Sequence, residues 1–349
     1  MSNATSSILP CEDIQADLNQ FFNNCSAEYQ IRRSPLAEFI TSDANKSGID
    51  IAVSPGEGKV KTYTLRYDQK LPNDTFQDVT DCNMNCTATN TVGDLSIQVT
   101  IDPCEKIEYG EVYDESDFVY NCETKEGYLR KRLAIMMNAF EAKAMTQIAT
   151  EAILLQGNWA SDVANVTGDV LAIDTRLSTN AIDPNWLIEL DFAMEQTAYC
   201  TGALIAGAPE FEKAAKLMNA GCCNDGGADL MEIIAQYGKS VAWDPYVTTA
   251  FGSNAMSLAT QLGALQLLTY TKGSSAEFRP LVRDGRDYEL IPLISPRLGL
   301  PVDLVVSAKC GQIHMIMSST LKLVGMPADM FPVGDPMTGV NYVNYVQAV

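Results

Sequence analysis

Hydrophobic and polar positions alternate strictly over residues 61–67, with Tyr63, Leu65 and Tyr67 on one side and Thr62, Thr64 and Arg66 on the other. Leu95, Ile97, Val99 and Ile101 repeat the pattern against Ser96, Gln98, Thr100 and Asp102. A period of two predicts two strands, each with one apolar face. The period then changes. Over residues 124–156, Leu129, Leu133, Met136, Phe140, Ala144, Ile148, Ala152 and Leu155 recur every three or four positions with no proline between them. That spacing predicts one helix of roughly 50 Å at 1.5 Å per residue, well beyond average helix length. Residues 68–94, between the two strands, are rich in Asn, Asp and Thr. So polar an excursion cannot form its own core and must lie against something else.

Residues 1 to about 50 lack sustained periodicity apart from a helical candidate at 14–22, and read as an extended arm. Ser54-Pro55-Gly56-Glu57-Gly58 then breaks the chain before the first alternating strand. Beyond the long helix, Gly157, Asn158 and Gly168 mark a stop, and 170–173 predicts a short strand. Proline-opened helices are predicted at 184–199 and 209–219 and a third at 228–237, each followed by glycine (Gly202, Gly221, Gly238). Strands are predicted at 265–271, 288–294, 302–308 and 313–318. Together these suggest a compact α+β unit from about 183 to 317. No internal repeat or low-complexity tract interrupts the chain.

Composition narrows the function. The chain has 349 residues, 46% hydrophobic and 19% charged, a globular balance with length for about two domains or one with large insertions. Its formal charge of -20 repels phosphate backbones and disfavours tight nucleic-acid binding. The best candidate for a basic patch, Lys125, Arg130, Lys131 and Arg132, sits beside Glu123 and Glu126 and reads as a solvated helix face or an intersubunit contact. There is no apolar run of about 18 residues, and Met1 to Pro10 has neither a basic start nor an apolar centre. Neither a membrane span nor export by a signal peptide is therefore expected.

Candidate chemistry is sparse. His314, the single histidine, lies in an apolar strand pattern, so it reads as a packed strand residue and multi-histidine metal sites are excluded. No nucleophile motif accompanies it for a triad. Ten cysteines are present, six of them (Cys11, Cys25, Cys82, Cys86, Cys104, Cys122) before residue 123. Cys82, Cys86, Cys104 and Cys122 offer four thiolates but only one close pair, so free thiols rank first, disulfides second and zinc third. Cys222 and Cys223 read as structural. Gly56-Glu57-Gly58-Lys59 is too short for a phosphate loop and precedes a strand rather than a helix. Asp114 with Glu115, and Asp284 with Asp287, read as solvated acidic pairs among 44 acidic residues. Arg283-Asp284-Gly285-Arg286-Asp287 reads as a strand connection. No catalytic, cofactor or metal site is predicted, and the chain is a poor enzyme candidate.

The order of parts, with Thr62-Tyr63-Thr64-Leu65-Arg66-Tyr67, Gly127-Tyr128-Leu129-Arg130-Lys131-Arg132 and Pro296-Arg297-Leu298-Gly299-Leu300-Pro301 at their positions, resembles the major capsid proteins of tailed bacteriophages, the Hong Kong 97-type fold. The resemblance spans nearly the whole chain. It implies an α+β fold with an N-arm and the start of a P-domain at 1–54, and an E-loop at 55–104. A P-domain with the spine helix (124–156) follows at 105–182, then an A-domain at 183–317 and a return to the P-domain with a C-terminal tail at 318–349. The implied role is self-assembly into hexamers and pentamers of an icosahedral shell enclosing double-stranded DNA, in the virion after assembly in the host cytoplasm. Implied partners are other copies of the chain and portal, scaffolding or decoration proteins, with the DNA contacted weakly, as the acidic charge suits, and no membrane. On this resemblance the E-loop lies over a neighbouring subunit, the arm reaches another, and Cys82, Cys86, Cys104 and Cys122 become candidate intersubunit disulfide or contact residues. No charged helical prefix follows Met1, which points to a separate scaffolding protein. Lys59, Lys61 and Lys70 are available for crosslinking, with none singled out. Two alternatives remain: an encapsulin-like nanocompartment shell of the same fold, and a secreted adhesin or fibre protein held by disulfides. A zinc- or cysteine-dependent enzyme ranks last.

Overall fold

The computed structural model describes residues 15–16, 18–20, 22, 31–46, 50–54, 61–68, 94–114, 125–157, 159, 166–167, 170–174, 183, 185–196, 203–221, 239–272, 287–309, 311–327 and 340–346. Helices and strands mix in an α+β fold. The helices are α1 (Pro35–Thr41), α2 (Asp43–Lys46), α3 (Lys125–Leu154), α4 (Trp186–Gln196), α5 (Pro209–Gly221) and α6 (Pro245–Phe251). The first strands are β1 (Asp50–Ser54), β2 (Lys61–Asp68), β3 (Asp94–Ile101), β4 (Ile107–Asp114), β5 (Val166–Thr167), β6 (Val170–Asp174) and β7 (Ala203–Gly207). The others are β8 (Lys239–Trp243), β9 (Met256–Thr260), β10 (Leu265–Tyr270), β11 (Asp287–Ile294), β12 (Pro301–Lys309), β13 (Gln312–Gly325) and β14 (Val340–Val346).

The two alternating segments pair as antiparallel β2 and β3, with Tyr63 opposite Val99 and Leu65 opposite Ile97. Tyr63, Leu65, Val99 and Ile101 are buried while Arg66, Ser96, Gln98 and Thr100 face solvent, as the period of two requires. Sequence periodicity missed β1, which pairs with β2 to make this a three-stranded sheet. The sheet rests on its own chain. Tyr63 donates its hydroxyl hydrogen to the Thr269 carbonyl at 2.8 Å, and Lys322 donates to the Thr100 carbonyl at 3.1 Å. Burial, with the nearby Tyr270 phenol adding to it, pushes the Tyr63 phenol above its ordinary pKa.

Helix α3 has 30 residues, about 45 Å at 1.5 Å per residue. Leu129, Leu133, Met136, Met137, Phe140, Ala144, Met145, Ile148 and Ala152 form its buried side, which packs against β4, β13 and α6. Strand β13 carries the second sheet. Residues up to Ser319 pair with β4, the segment to Ser318 also pairs with β12, and Thr320 to Gly325 pair with β10. Beyond the end of β4, helix side chains stand in for a ladder: Gln147 donates to the Leu321 carbonyl at 3.2 Å, and Glu151 accepts the Leu323 N–H at 2.7 Å. Those backbone groups would otherwise lack partners on that side. Where β10 leaves β13 and β12 takes over, the buried Asp303 carboxylate accepts the Lys272 N–H at 2.5 Å.

The third sheet has the order β5-β6-β14-β9-β7-β8. Every residue of β7 is buried because the strand divides two cores. Leu204 and Ala206 face the core around α3, whereas Ala203 and Ile205 face a second core with Trp186, Leu190, Met194 and Phe211 from α4 and α5. At the end of β7, Gly207 has φ 144°, and an added Cβ would lie 2.7 Å from Met256 O and from Ser257 Cα. Only glycine fits there.

Two expectations are corrected. The unit from 183 to 317 is divided: β10 to β13 hydrogen-bond in the second sheet with β4, while β7, β8 and β9 belong to the third. The reason is β13, whose apolar side (Ile313, Met315, Met317, Leu321, Leu323) stays buried through the point where β10 joins it. Part of the expected return at 318–349 lies elsewhere: β14, which the sequence reading did not find, runs parallel to β6 in the third sheet and buries Val343 in the second core. The helix expected at 14–22 is present at its described residues, 15–16, 18–20 and 22, and the described arm carries core side chains: Leu18, Leu36, Ala37 and Ile40 are buried. The helix expected at 228–237 lies outside the described residues.

Candidate functional site

Three buried polar joints fix how the parts meet. Glu141, in mid-helix on α3, accepts the Arg297 N–H at 3.0 Å and its guanidinium at 2.8 Å. The same guanidinium nitrogen donates to Asn138 Oδ1 at 2.7 Å, and its carbon lies 4.3 Å from the centre of the Phe22 ring. Nearby, the Gln15 amide bonds both backbone groups of Ile294 at 3.0 Å each, in the manner of a strand neighbour at the β11 edge. The arm, the loop between β11 and β12, and the long helix are thereby tied together.

The second joint is Asp244. One carboxylate oxygen accepts the Ser34 hydroxyl at 2.6 Å and the Leu36 N–H at 3.0 Å; the other accepts the N–H groups of Tyr246 at 2.9 Å and Val247 at 3.2 Å. A single buried carboxylate thus serves the N-termini of α1 and α6, where orphan donors and the helix dipole both favour a negative charge. Pro35 and Pro245 open these helices, at positions that need no N–H. Burial and the Asp244 charge raise the Tyr246 phenol pKa against the opposing pull of Arg297 and Arg32. In the third joint, buried Asn45 donates to the carbonyls of Ile40 at 3.1 Å and Leu265 at 2.7 Å and accepts the Gly263 N–H at 2.9 Å. The contacts that join separate parts of the fold, Asp244 to Ser34 and Leu36, Asn45 to Gly263 and Leu265, and Arg297 to Asn138 and Glu141, each span more than 150 residues of chain.

Of the four cysteines singled out from the sequence, Cys104 is described: an exposed free thiol in the turn after β3, its N–H bonded to Asp102 Oδ1 at 2.8 Å. Cys82, Cys86 and Cys122 lie outside the described residues, as do Lys59 and Lys70. Lys61 sits on β2 with its ammonium 5.9 Å from the Tyr270 ring centre. The basic group on α3 is not one patch, since Arg132 turns onto β4 and bonds Glu111 at 2.9 Å while Lys131 is exposed. His314 lies half-buried on β13 between Val112 of β4 and Ser307 of β12. Asp114 ends β4 in solvent, and residues 283–286 lie outside the description. Among the described residues no three His, Cys, Asp or Glu side chains gather to hold a metal ion.

An open cleft of about 460 Å³ is lined by Arg33, Glu38, Thr41 and Arg297. Its charges are already matched: Arg33 makes a two-pronged pair with Glu38 at 2.8 and 2.6 Å, which raises the arginine pKa further. The cleft is a seam rather than a reaction chamber. Among the described residues, Ile51, Val112, Leu154, Ile188, Phe192, Trp243 and Ile294 stand exposed on the outer surface. Strands β4, β8 and β11 lie at sheet edges. Exposed apolar groups on such edge strands suit contacts with other chains.

No family model and no curated protein matches the sequence. Solved structures do match it. The chain is similar to the capsid of Ralstonia phage GP4 at 10% identity and a TM-score of 0.45, covering 93% of this chain and 94% of that one. It is also similar to the capsid structure of the Cyanophage P-SCSP1u at 10% identity and a TM-score of 0.44, covering 84% and 86%. A third similar structure, the capsid of Myoviridae Phage XM1, has 10% identity and a TM-score of 0.38, covering 93% and 97%. All three are phage capsids. Among the described residues, no helix is long and apolar enough to cross a membrane.

Proposed function

We propose that the chain is the major capsid protein of a tailed phage, with a Hong Kong 97-type fold, and builds an icosahedral shell of hexamers and pentamers around double-stranded DNA. One observation carries the reading. A 30-residue helix lies along β4 and β13, a three-stranded sheet is pinned to β10 and β13, and a separate six-stranded sheet stands across β7. In this reading α3, β4 and β10 to β13 form the P-domain, and the third sheet with α4 and α5 forms the A-domain. Residues 55–104 form the E-loop, and the chain before them contributes the N-arm. The pinned base of the E-loop gives residues between β2 and β3 a fixed point from which to reach a neighbouring subunit. Cys104, exposed at its foot, and Cys82, Cys86 and Cys122 are contact or disulfide residues between copies. The charge of -20 keeps the inner wall from gripping packaged DNA, as weak contact with a mobile genome requires. Portal, scaffolding or decoration proteins complete the particle, which forms in the host cytoplasm.

Sedimentation of the full chain, expressed with its neighbouring genes, tests this reading. Particles far heavier than the 38.0 kDa chain, with discrete hexamers and pentamers on disassembly, are expected. A chain that sediments as a monomer in every condition contradicts it.

A further inference from the structure

Two exposed patches on the third-sheet unit differ in chemistry and lie apart. The first is the outward face of α4. Trp186, Leu190, Ala193 and Met194 turn inward, which leaves Ile188 58% and Phe192 60% exposed. Positions 188, 191, 192 and 195 share one helix face, so this apolar pair is bordered by Asp191 and Glu195 on one side and by exposed Glu189 on the other. The helix carries three acids and no lysine or arginine.

The second patch is the β8 edge. Trp243 is 41% exposed at the end of this strand, with the Arg32 guanidinium 5.9 Å from its ring centre. Glu212 accepts the Trp243 N–H at 2.6 Å and is paired with Lys216, whose side chain is 72% exposed. Because Glu212 balances Lys216, the positive charge beside the Trp243 ring comes from Arg32. Helix α4 packs on β6, and four strand spacings separate β6 from β8. That is about 19 Å at 4.8 Å per spacing.

We infer that the outward face of α4 docks on the β8 edge of the next copy of this chain, head to tail, so that the contact repeats around a ring. Like meeting like is disfavoured, because two α4 faces bring acids together. Opposite patches combine apolar area with opposite charge, and their separation makes the contact heterologous, the kind that closes into rings. Phe192 and Ile188 lie against Trp243, and Glu195 faces Arg32. This rests on the capsid reading and specifies which surfaces join the subunits of one ring.

The test uses the full chain in wild-type form and as I188S/F192D, E195K, R32E and E195K/R32E. Circular dichroism and melting check that each folds, as exposure of these side chains leads one to expect. Sedimentation velocity then measures the ring-sized species at equal concentration and salt. I188S/F192D, E195K and R32E each weaken ring formation by about tenfold or more, and E195K/R32E recovers much of the loss. Folded I188S/F192D that assembles like wild type overturns the docking while leaving the shell reading in place. A double reversal no better than the singles also overturns it. A wild-type chain that never leaves the monomer overturns both.

Discussion

Arg297 grips Glu141 with its backbone and its side chain at once, giving its N–H to Oε1 at 3.0 Å and its guanidinium to Oε2 at 2.8 Å. Glu141 is fully buried in the middle of the long helix, and the Arg297 side chain is 20% exposed. A carboxylate so placed is tolerable only while it is paired. R297M strands the charge and should lower stability by about 3–5 kcal/mol. E141Q should cost less, since the amide oxygen still accepts a hydrogen bond, and E141Q/R297M should be milder than the sum of the two. Urea midpoints for the three variants check this, and strict additivity would contradict it.

Asp244 joins two helices through one carboxylate, so its loss is felt twice. D244A removes acceptors from Leu36, Tyr246 and Val247 and from the Ser34 hydroxyl. With about 1 kcal/mol or more for uncapped α6 and a similar loss from the Leu36 and Ser34 bonds at α1, where the Ser34 cap on Ala37 remains, a combined loss of about 2–3 kcal/mol is expected. Amide exchange should quicken at Leu36 and Val247 together. Faster exchange at only one helix would show that the caps are independent.

Two glycines separate backbone strain from crowding. Gly252 has φ 66° with nothing within 4 Å of an added Cβ, so G252A carries only the left-handed penalty of about 1–2 kcal/mol. Gly207 adds contacts of 2.7 Å to Met256 O and Ser257 Cα on the neighbouring strand. G207A should therefore force β7 from β9 and leave the chain largely insoluble, while G252A stays soluble. Equal soluble yields would contradict the packing described for β7.

Glu212 supplies a pH test. Burial alone would raise its pKa, but hydrogen bonds from Lys216 and the Trp243 N–H, with the lysine charge, outweigh that and lower it. A folded value below the unfolded one gives stabilisation that is complete above the unfolded value of about 4.3 and is lost as pH falls through the folded value. The stability gap between wild type and E212Q should stay level from about pH 7 to 5.5 and shrink below about pH 4. A gap that widens on acidification would contradict this.

What the sequence revealed depended on how local the signal was. Tyr63 and Leu65 alternate with Thr62 and Thr64 because one face of β2 meets solvent, and the α3 pattern is clear because one helix side is buried throughout. Strand β7 gave no such signal: Ala203 to Gly207 are buried on both faces, so nothing alternates. Sheet membership was hidden for another reason. Strand β4 pairs with β13 some two hundred residues later, and β14 slots beside β6, pairings decided by long-range packing rather than by neighbours in the chain. The polar joints were hidden likewise, since Glu141 reads as one more helix acid until Arg297 arrives beside it. The exposed Ile188 and Phe192 look in sequence like any core pair.

Electron microscopy of negatively stained material, using the full chain expressed alone and with its neighbouring genes, decides whether the chain builds shells. Closed shells of uniform diameter with hexameric and pentameric capsomers are the predicted result. Dispersed single subunits under every condition, with the chain folded, would contradict it.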